Sequence, residues 1–408
     1  DGSKYTGELM GGVREGKGTL WMADASEVTR GDIIGTATYI GGWARDSFEG
    51  HGTLRSDDGL VSYEGDFKDG LRHGSGVMRS RRCRGEPPEV YDGQWQRGHR
   101  HGRGRCTYPD GSMYEGEWMS NQRNGWGEMT ESDGALYSGK WVGGVRCGEG
   151  KWVAGGPAGV EIKKEMYQGQ WQRNARHGRG RCEWPSGAVY EGDWRDGQRH
   201  GVGRLIHPDG GYFDGQWSRD QRHGYGTEVS ASGDEYRGQW VGDVRQGEGE
   251  LTSASGARYV GSWFADTQHG RGELTNNLGD KYVGDFNRGV CHGEGTCVYR
   301  SGAIYEGSWM NGHREGKGKC TYPAAIAPQF TTPSLASTLR DESNQDPKLD
   351  EAVYACYEGE WMADEREGLG RYIGAPEPHG RGETYDGLWK KGLPHGHGKC
   401  VYPDGDAY

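Results

Sequence analysis

Histidine is the residue type in this 408-residue chain whose spacing most invites a chemical role. Eight histidines stand directly before a Gly-x-Gly: His73, His101, His177, His200, His223, His269, His292 and His395. Imidazole is a common metal ligand and a general base near neutral pH. If each histidine belongs to its own two-stranded unit, neighbours lie about 9.6 Å apart, too far to share an ion with Zn–N bonds of about 2 Å. The pattern favours packing in turns, and we predict no metal site.

A glycine-rich stretch near the start resembles a phosphate-binding loop. Gly11–Gly18 reads GGVREGKG and places Lys17 where such a loop needs its lysine. However, Gly18 stands where a Ser or Thr must hold the metal, and no helical pattern follows. We therefore expect no nucleotide or other cofactor here.

Acidic residues also recur, directly after an aromatic residue. They are Glu64, Glu115, Glu191, Glu306 and Glu358. This position fits a solvated strand face better than a pair of catalytic carboxylates. No Ser–His–Asp or Cys–His arrangement stands out either. The sequence predicts no catalytic residues and a chain that is not an enzyme.

All of these residues lie within a single repeated phrase. Tyr190–Gly203, YEGDWRDGQRHGVG, has counterparts that begin at fifteen aromatic residues. Six successive spacings between Tyr167 and Tyr305 are 23 residues. The first Gly of the Gly-x-Gly always follows the first aromatic by eleven residues, so every change in length falls after it. Tyr408 looks like the start of a sixteenth copy.

Each copy predicts a β-hairpin. Tyr190, Gly192 and Trp194 alternate, which places them on one face of a strand. The stretch 195–200 is rich in Asp, Gly and charge, as turns are. Glycine between two aromatics suits a strand poorly, unless the ring of a neighbouring hairpin lies over it. A single hairpin is marginal in water, so the copies must stack.

The pattern Y-x-G-x-W-x-x-G-x-x-H-G-x-G, repeated at 23-residue spacing, resembles the MORN (membrane occupation and recognition nexus) repeat family. The resemblance covers nearly the whole chain and implies an all-β fold, an elongated single-layer antiparallel sheet of about fifteen stacked hairpins. At about 4.8 Å per strand the copies would span on the order of 140 Å. Among family members, the irregular insertions are most similar to those of ciliary radial-spoke-type proteins. The resemblance implies a scaffold or interaction module.

The repeats divide the chain into three segments. Thirteen copies occupy 1–323, a loop insertion occupies 324–352, and 353–408 holds two copies and the start of another. The insertion is rich in Pro, Ser, Thr, Gln and Asp and is too short for a core of its own. We expect a projecting loop, either passive or a docking arm, with at most a turn or two of helix at Leu335–Leu339. The chain begins and ends within the pattern, which indicates the ordered part of a longer protein.

Composition narrows the classes of partner. The net charge of −11 argues against nucleic acid or an acidic membrane as the main partner, although Arg79, Arg81, Arg82 and Arg84 form a local basic patch. Nine cysteines lack a C-x-x-C pair, and five of them share one repeat position, where they act as small apolar residues. Regular disulfides are not expected, and a reducing compartment fits, such as the cytoplasm or cytoskeleton.

Tryptophan supplies the predicted binding face. If the sheet is a single layer, part of the indole-bearing side stays open, and a protein or peptide can lie along it. The predicted protein-binding residues are Trp95, Trp118, Trp141, Trp171, Trp194, Trp217, Trp240, Trp263 and Trp309. The alternative is that these rings only stack on one another.

These observations predict a non-enzymatic scaffold that holds other proteins in a cytoskeletal assembly, a radial spoke or other axonemal complex of a cilium or flagellum. Two alternatives stay open. One is a membrane-tethering module, and the other is a targeting module of an enzyme whose catalytic domain lies outside this chain. Exposed strand edges also make self-association possible.

Overall fold

The computed structural model describes residues 2–26, 33–156, 163–327, 354–375 and 382–407. The contacts divide the chain into two units, Asp1–Pro208 and Asp209–Tyr408. Apart from one turn of 3-10 helix at Ala324–Ile326, all regular structure in the described residues is β-strand. No helix in those ranges is both long and apolar enough to cross a bilayer.

The first unit holds eight hairpins. Its strands are β1 (Lys4–Met10), β2 (Val13–Met22), β3 (Ala37–Ala44), β4 (Ser47–Ser56), β5 (Val61–Lys68), β6 (Leu71–Ser80), β7 (Glu89–Gln96), β8 (His99–Thr107), β9 (Met113–Met119), β10 (Gln122–Thr130), β11 (Leu136–Val142), β12 (Val145–Val153), β13 (Met166–Gln172), β14 (Ala175–Glu183), β15 (Val189–Arg195) and β16 (Gln198–Ile206). Each strand pairs antiparallel with the next along the chain.

The second unit holds seven hairpins with the same pairing of consecutive strands. Its strands are β17 (Tyr212–Ser218), β18 (Gln221–Val229), β19 (Glu235–Val241), β20 (Val244–Thr252), β21 (Arg258–Phe264), β22 (Thr267–Thr275), β23 (Lys281–Asn287), β24 (Val290–Val298), β25 (Ile304–Met310), β26 (His313–Pro323), β27 (Tyr354–Met362), β28 (Glu365–Ile373), β29 (Thr384–Lys390) and β30 (Leu393–Val401). The prediction of an all-β antiparallel sheet of hairpin repeats is confirmed.

The long insertion interrupts the sequence but not the pairing. β26 and β27 pair directly, with Gly316 opposite Trp361 and Cys320 opposite Tyr357. Most of the predicted loop, including Leu335–Leu339, lies outside the described residues. The division of the chain at 324–352 stays a prediction.

The hairpin formed by β13 and β14 shows how one copy is built. Its loop is Arg173–Asn174, with φ values of +48° and +67°. Positive φ at both positions is typical of the type I′ turn, whose twist matches that of the flanking strands. Asn174 also accepts a hydrogen bond at Oδ1 from the backbone N–H of Arg146 in the preceding hairpin (2.8 Å), which ties neighbouring turns together.

The Gly-x-Gly segment forms a bulge in the second strand. Gly169 lies opposite Gly180 and Trp171 lies opposite Arg176, so three residues of β14 face one residue of β13. Gly178 has φ +59°, in the left-handed region that favours glycine. The one facing residue, Gln170, accepts a hydrogen bond from the backbone N–H of Arg179 (3.2 Å) and so closes the bulge.

A tyrosine ring covers the two facing glycines, and it comes from their own hairpin. A methyl group added at Gly180 would overlap the ring of Tyr167, and one added at Gly169 would meet the backbone of Gly180. The tyrosine hydroxyl reaches past the glycines and donates a 2.9 Å hydrogen bond to the carbonyl of Gln170. The expectation that the neighbouring hairpin supplies this ring is therefore wrong. The reason is that the ring bends along its own strand over the flat Gly–Gly pair.

This close approach gives the first testable prediction. Gly180→Ala is expected to lower the free energy of unfolding by about 3 kcal/mol, because the Tyr167 ring has no room to move aside. Urea denaturation followed by tryptophan fluorescence measures the change. Gly187→Ala is the control, since it alters only a turn glycine with φ +92° and should cost about 1 kcal/mol. Equal midpoints for the two variants would remove the steric explanation.

Candidate functional site

Each hairpin has two different faces. In β13, Tyr167, Gly169 and Trp171 are buried, whereas Gln168 and Gln170 are exposed. We call the first side, which carries the first aromatic residue and the paired glycines of every hairpin and the tryptophan of twelve of the fifteen, the aromatic face. The opposite side is the open face. This alternation is typical of an antiparallel sheet that packs on one side only.

The rings of the aromatic face form a continuous ladder within each unit. Trp171 packs edge-to-face against Tyr167 of its own hairpin and against Tyr137 of the preceding one, both with centroids 5.2 Å apart. Its indole N–H donates to the carbonyl of Gly150 in that preceding hairpin (3.2 Å). Trp171 thus joins two hairpins through two ring contacts and one hydrogen bond, whereas Trp43 makes the two ring contacts without the hydrogen bond. Edge-to-face pairs of this geometry stabilise beyond the area they bury.

The nine predicted binding tryptophans are nearly inaccessible. Their exposed fractions run from 1% at Trp141 to 7% at Trp171. The stacking alternative therefore accounts for their burial. Binding of a protein or peptide along this face stays a prediction, and such a ligand would not meet the indoles themselves.

Arginine covers the tryptophans, and this is the group that sequence reasoning missed. Eleven copies carry Arg nine residues after the first aromatic: Arg14, Arg72, Arg100, Arg123, Arg146, Arg176, Arg199, Arg222, Arg245, Arg314 and Arg366. We call them the arginine ladder. The guanidinium carbon of Arg222 lies 4.2 Å from the ring centroid of Trp240, and that of Arg314 lies 4.3 Å from Trp361. The recurrence of Arg at one repeat position is the sequence signal that could have identified this group.

The arginine ladder also links neighbouring hairpins through polar contacts. In one arrangement the guanidinium donates to a carbonyl in the turn of the next hairpin, as Arg314 does to Asp364 (2.7 Å). In the other arrangement it pairs with a glutamate, as Arg146 does with Glu131 (2.6 Å). Burial lowers the pKa of Arg146 even with this partner present. An arginine over an indole, with its N–H groups satisfied, seals the aromatic face against water.

Glu228 occupies a special place in this network. It accepts hydrogen bonds from Arg222 and from Arg245 (2.8 Å to the latter), so one carboxylate joins two successive hairpins. Other copies place Cys, Leu, Met, Trp or Tyr at this position, opposite the first aromatic residue. The carboxylate therefore replaces an apolar contact with a charged one.

The open face presents large apolar side chains at one repeat position, the middle residue of the Gly-x-Gly. Trp126, Val202 and Tyr225 are 58%, 59% and 61% exposed, and Leu369 is similarly exposed. Most other copies place charged residues there, including Lys17, Arg103, Glu248 and Glu294. Exposed tryptophan and tyrosine among charged residues are typical of protein contact surfaces.

The expectation that the histidines pack in turns is wrong, because the loops have only two residues and each histidine lies in the second strand of its hairpin, as His177 does in β14 and His200 in β16. The nearest carboxylate to His177 is that of Asp196 in the next hairpin, 3.8 Å from Nδ1. No group of three or more His, Cys, Asp or Glu in the described ranges is placed to hold a metal ion. Lys17 lies in β2, and its backbone N–H donates to Glu8 (3.2 Å) in the bulge contact described above. The glycine-rich stretch that contains it is part of a hairpin rather than a loop before a helix.

Comparison with known proteins identifies the family to which the chain belongs. The MORN repeat model matches fifteen segments: 5–26, 39–61, 63–81, 91–113, 114–135, 137–154, 167–189, 190–212, 213–235, 236–258, 259–277, 282–304, 305–324, 357–376 and 385–407. These segments begin at the fifteen aromatic residues that open the hairpins. The chain belongs to the MORN-repeat family.

Individual relatives match only short parts of the chain. Alsin of Rattus norvegicus, Mus musculus and Homo sapiens is 30% identical over 95 residues, which is 23% of this chain and 5% of each Alsin. A solved structure titled "Streptogramin B lyase structure" aligns with 65% of this chain and 83% of its own, at 8% identity and a TM-score of 0.13. This similarity is too weak to indicate a shared fold or function.

The bridging carboxylate gives the second prediction. Glu228→Ala is expected to lower the free energy of unfolding by about 2 kcal/mol, because two half-buried guanidinium groups lose a common acceptor. Chemical denaturation measures the loss. Glu250→Ala is the matched control, since its pair with Arg258 lies on the open face and should contribute about 1 kcal/mol or less. A larger loss from the control would contradict the assignment.

The cysteines give the third prediction. All nine are free; burial raises the pKa of the Cys106 thiol to about 11, against an ordinary value of 9.0, whereas Cys83 is exposed. The raised pKa means that folding favours the neutral thiol, and this stabilisation is complete below about pH 9 and lost as pH rises toward 11. At pH 8 Ellman's reagent should label Cys83 at least about tenfold faster than Cys106.

The matching variants make the labelling result specific. Cys83→Ser should remove the fastest phase of labelling and leave the slower reaction of the half-buried cysteines, and Cys106→Ser should leave the fastest phase unchanged. Rapid labelling of Cys106 in the folded protein would show that the aromatic face is open to reagent.

Proposed function

We propose that this chain is a non-enzymatic scaffold that holds other proteins in a cytoskeletal assembly, specifically a radial spoke or another axonemal complex of cilia or flagella. The observation that carries the proposal is the open face, where Trp126, Val202 and Tyr225 project from within paired strands. A side chain anchored in a paired strand has a defined position, so a partner that contacts several hairpins of one unit is held in a defined register.

The construction of each hairpin also suits a mechanical role. The backbone is paired on both sides in most strands, and each tryptophan and arginine of the ladder contacts a neighbouring hairpin. Neighbouring hairpins are therefore joined by side chains as well as by backbone hydrogen bonds. The axonemal setting is supported by the resemblance of the long, irregularly interrupted array to radial-spoke-type members.

A targeting module is the second candidate function. The support is that the stretch matched in each Alsin is 5% of that protein's length, so sequence similar to part of this chain occurs within much longer proteins. A membrane-tethering role has less support, because the net charge of −11 opposes binding to anionic lipid.

Proximity labelling in ciliated cells tests the proposed function and gives the fourth prediction. A biotin ligase fused to the chain is expected to label axonemal proteins. The triple variant Trp126→Ser, Val202→Ser and Tyr225→Ser should lose part of that labelling with its thermal midpoint unchanged, because these side chains project into solvent. The double variant Gln168→Ser and Gln172→Ser, also on exposed positions, should label as the unaltered chain does.

Other outcomes would redirect the assignment. Labelling of vesicle proteins in place of axonemal ones, together with salt-sensitive binding to anionic liposomes, would replace the scaffold by a membrane tether. Identical labelling by the triple variant and the unaltered chain would remove the open face from the proposal.

A further inference from the structure

A cleft of about 980 Å³ lies on the aromatic face of the first unit. Tyr108, Met129 and Trp141 line it, and the insertion that follows β6 contributes Arg81 and Arg82. Its volume is at the upper end of the range for ligand sites in proteins. The basic patch noted in the sequence is thus placed, in part, at the rim of a cleft.

Arg123 is the member of the arginine ladder at the centre of this cleft, and its polar contacts are incomplete. Its guanidinium carbon lies 4.3 Å from the ring centroid of Trp141, and Nη2 donates to the carbonyl of Gly144 (3.1 Å). The nearest acceptor to Nη1 is the sulfur of Met129 at 3.5 Å, and a thioether is a weak acceptor. Within the described ranges no carboxylate pairs with Arg123, whereas Arg146 beside it pairs with Glu131.

The rim adds two more cations. Arg81 and Arg82 are exposed, and no carboxylate of the described residues forms an ion pair with either side chain. The insertion is nevertheless attached to the sheet. The backbone N–H of Arg81 donates to the carbonyl of Leu60 (2.9 Å), and Nε of Arg84 donates to that of Asp58 (3.0 Å).

Two acidic residues of the cleft already have cationic partners. Glu89 pairs with Arg100, and Glu131 pairs with Arg146. Asp110 accepts hydrogen bonds from the backbone and the hydroxyl of Ser112, and the Glu86 carboxylate raises the pKa of the Cys83 thiol beside it. Two carboxylates of the lining, Glu86 and Asp110, have no ion pair in the described residues, against three such guanidinium groups, those of Arg81, Arg82 and Arg123. The unpaired charge of the cleft is therefore net positive, so an anionic ligand complements it.

The extent of the cleft favours a polypeptide over a small anion. Its lining runs from Ser80 at the end of β6 to Asn174 in the turn after β13. Seven strand spacings of about 4.8 Å make this on the order of 30 Å, which an extended chain covers in about ten residues.

We propose that this cleft binds an extended acidic segment of a partner protein, with carboxylates on Arg123 and on the Arg81–Arg82 rim. The proposal rests on the proposed function and names the chemistry of one partner of the scaffold. The insertion that supplies the rim separates two regular copies, so the site is a local property of this part of the array.

Fluorescence anisotropy with a fluorescein-labelled ten-residue peptide of alternating Glu and Ser tests this and is the fifth prediction. The peptide should bind the full chain, and the same peptide with Gln in place of Glu should bind at least about tenfold more weakly. Arg123→Gln and the double variant Arg81→Ser, Arg82→Ser should each raise the Kd for the Glu peptide about tenfold.

Arg314→Gln is the matched control for Arg123→Gln. Arg314 has the same repeat position, the same 4.3 Å approach to a tryptophan and a bond to a turn carbonyl, but it also pairs with the Asp364 carboxylate (3.1 Å) and lies in the second unit. Its substitution should leave the Kd unchanged. The rim variant changes only exposed side chains and so separates loss of binding from loss of folding.

Equal binding of the Glu and Gln peptides, or equal affinity in all variants, would overturn the proposal. Displacement of the peptide by inorganic phosphate, but not by sodium chloride of equal ionic strength, would mark a small-anion site and overturn the polypeptide occupant. Either result leaves the scaffold proposal in place, because proximity labelling tests that separately.

Discussion

Everything in this fold depends on the contact between one tyrosine ring and two facing glycines. Gly169 and Gly180 lie opposite each other, and the Tyr167 ring lies flat over both. No side chain larger than hydrogen fits beneath the ring, which explains why glycine occurs where strand propensity disfavours it. The burial of the ring raises the pKa of several of these tyrosines, to about 12 at Tyr137 and Tyr236. The contact closes a thin core without any second layer of structure.

The same contact decides where the next hairpin must lie. With the tyrosine over its own glycines, its edge faces the tryptophan of the following hairpin, and that indole reaches back to a glycine carbonyl. The arginine ladder then covers the indole from the solvent side. Tyrosine, tryptophan and arginine at fixed repeat positions thus connect each hairpin to the next. A repeat protein stabilised by such nearest-neighbour contacts gains stability by adding copies rather than by enlarging a core.

The two faces of the sheet differ in role. The side chains of the aromatic face stabilise the fold, and in the proposed function those of the open face contact partners. The aromatic face contains the rings and the arginines that join hairpins. Substitutions on this face therefore change the stability of the fold. The open face carries exposed residues such as Trp126 and Tyr225 whose neighbours differ from copy to copy. In the cleft of the first unit the two roles meet, because Arg123 belongs to the ladder yet has bonding capacity left for a ligand.

Sequence reasoning established the hairpins, their number and the face that buries the rings, because period-two alternation and a fixed eleven-residue interval allow few other structures. It also placed Cys106 and Cys182 as apolar residues in the core, where they are fully buried. It assigned the glycine cover to the wrong hairpin and passed over the arginine ladder. Both depend on which side chains meet across strands, and alternation along one strand does not specify that.

Copy number, strand alternation and family membership are therefore properties of the sequence alone. The exposure of the indoles, the bulge closed by Gln170 and the charge left over at Arg123 appear only in the tertiary structure. The physical reason is that a repeat pattern specifies contacts shared by all copies. The cleft depends on one insertion, and the guanidinium of Arg123 finds only the Met129 sulfur and the Gly144 carbonyl as acceptors; only packing brings these groups together.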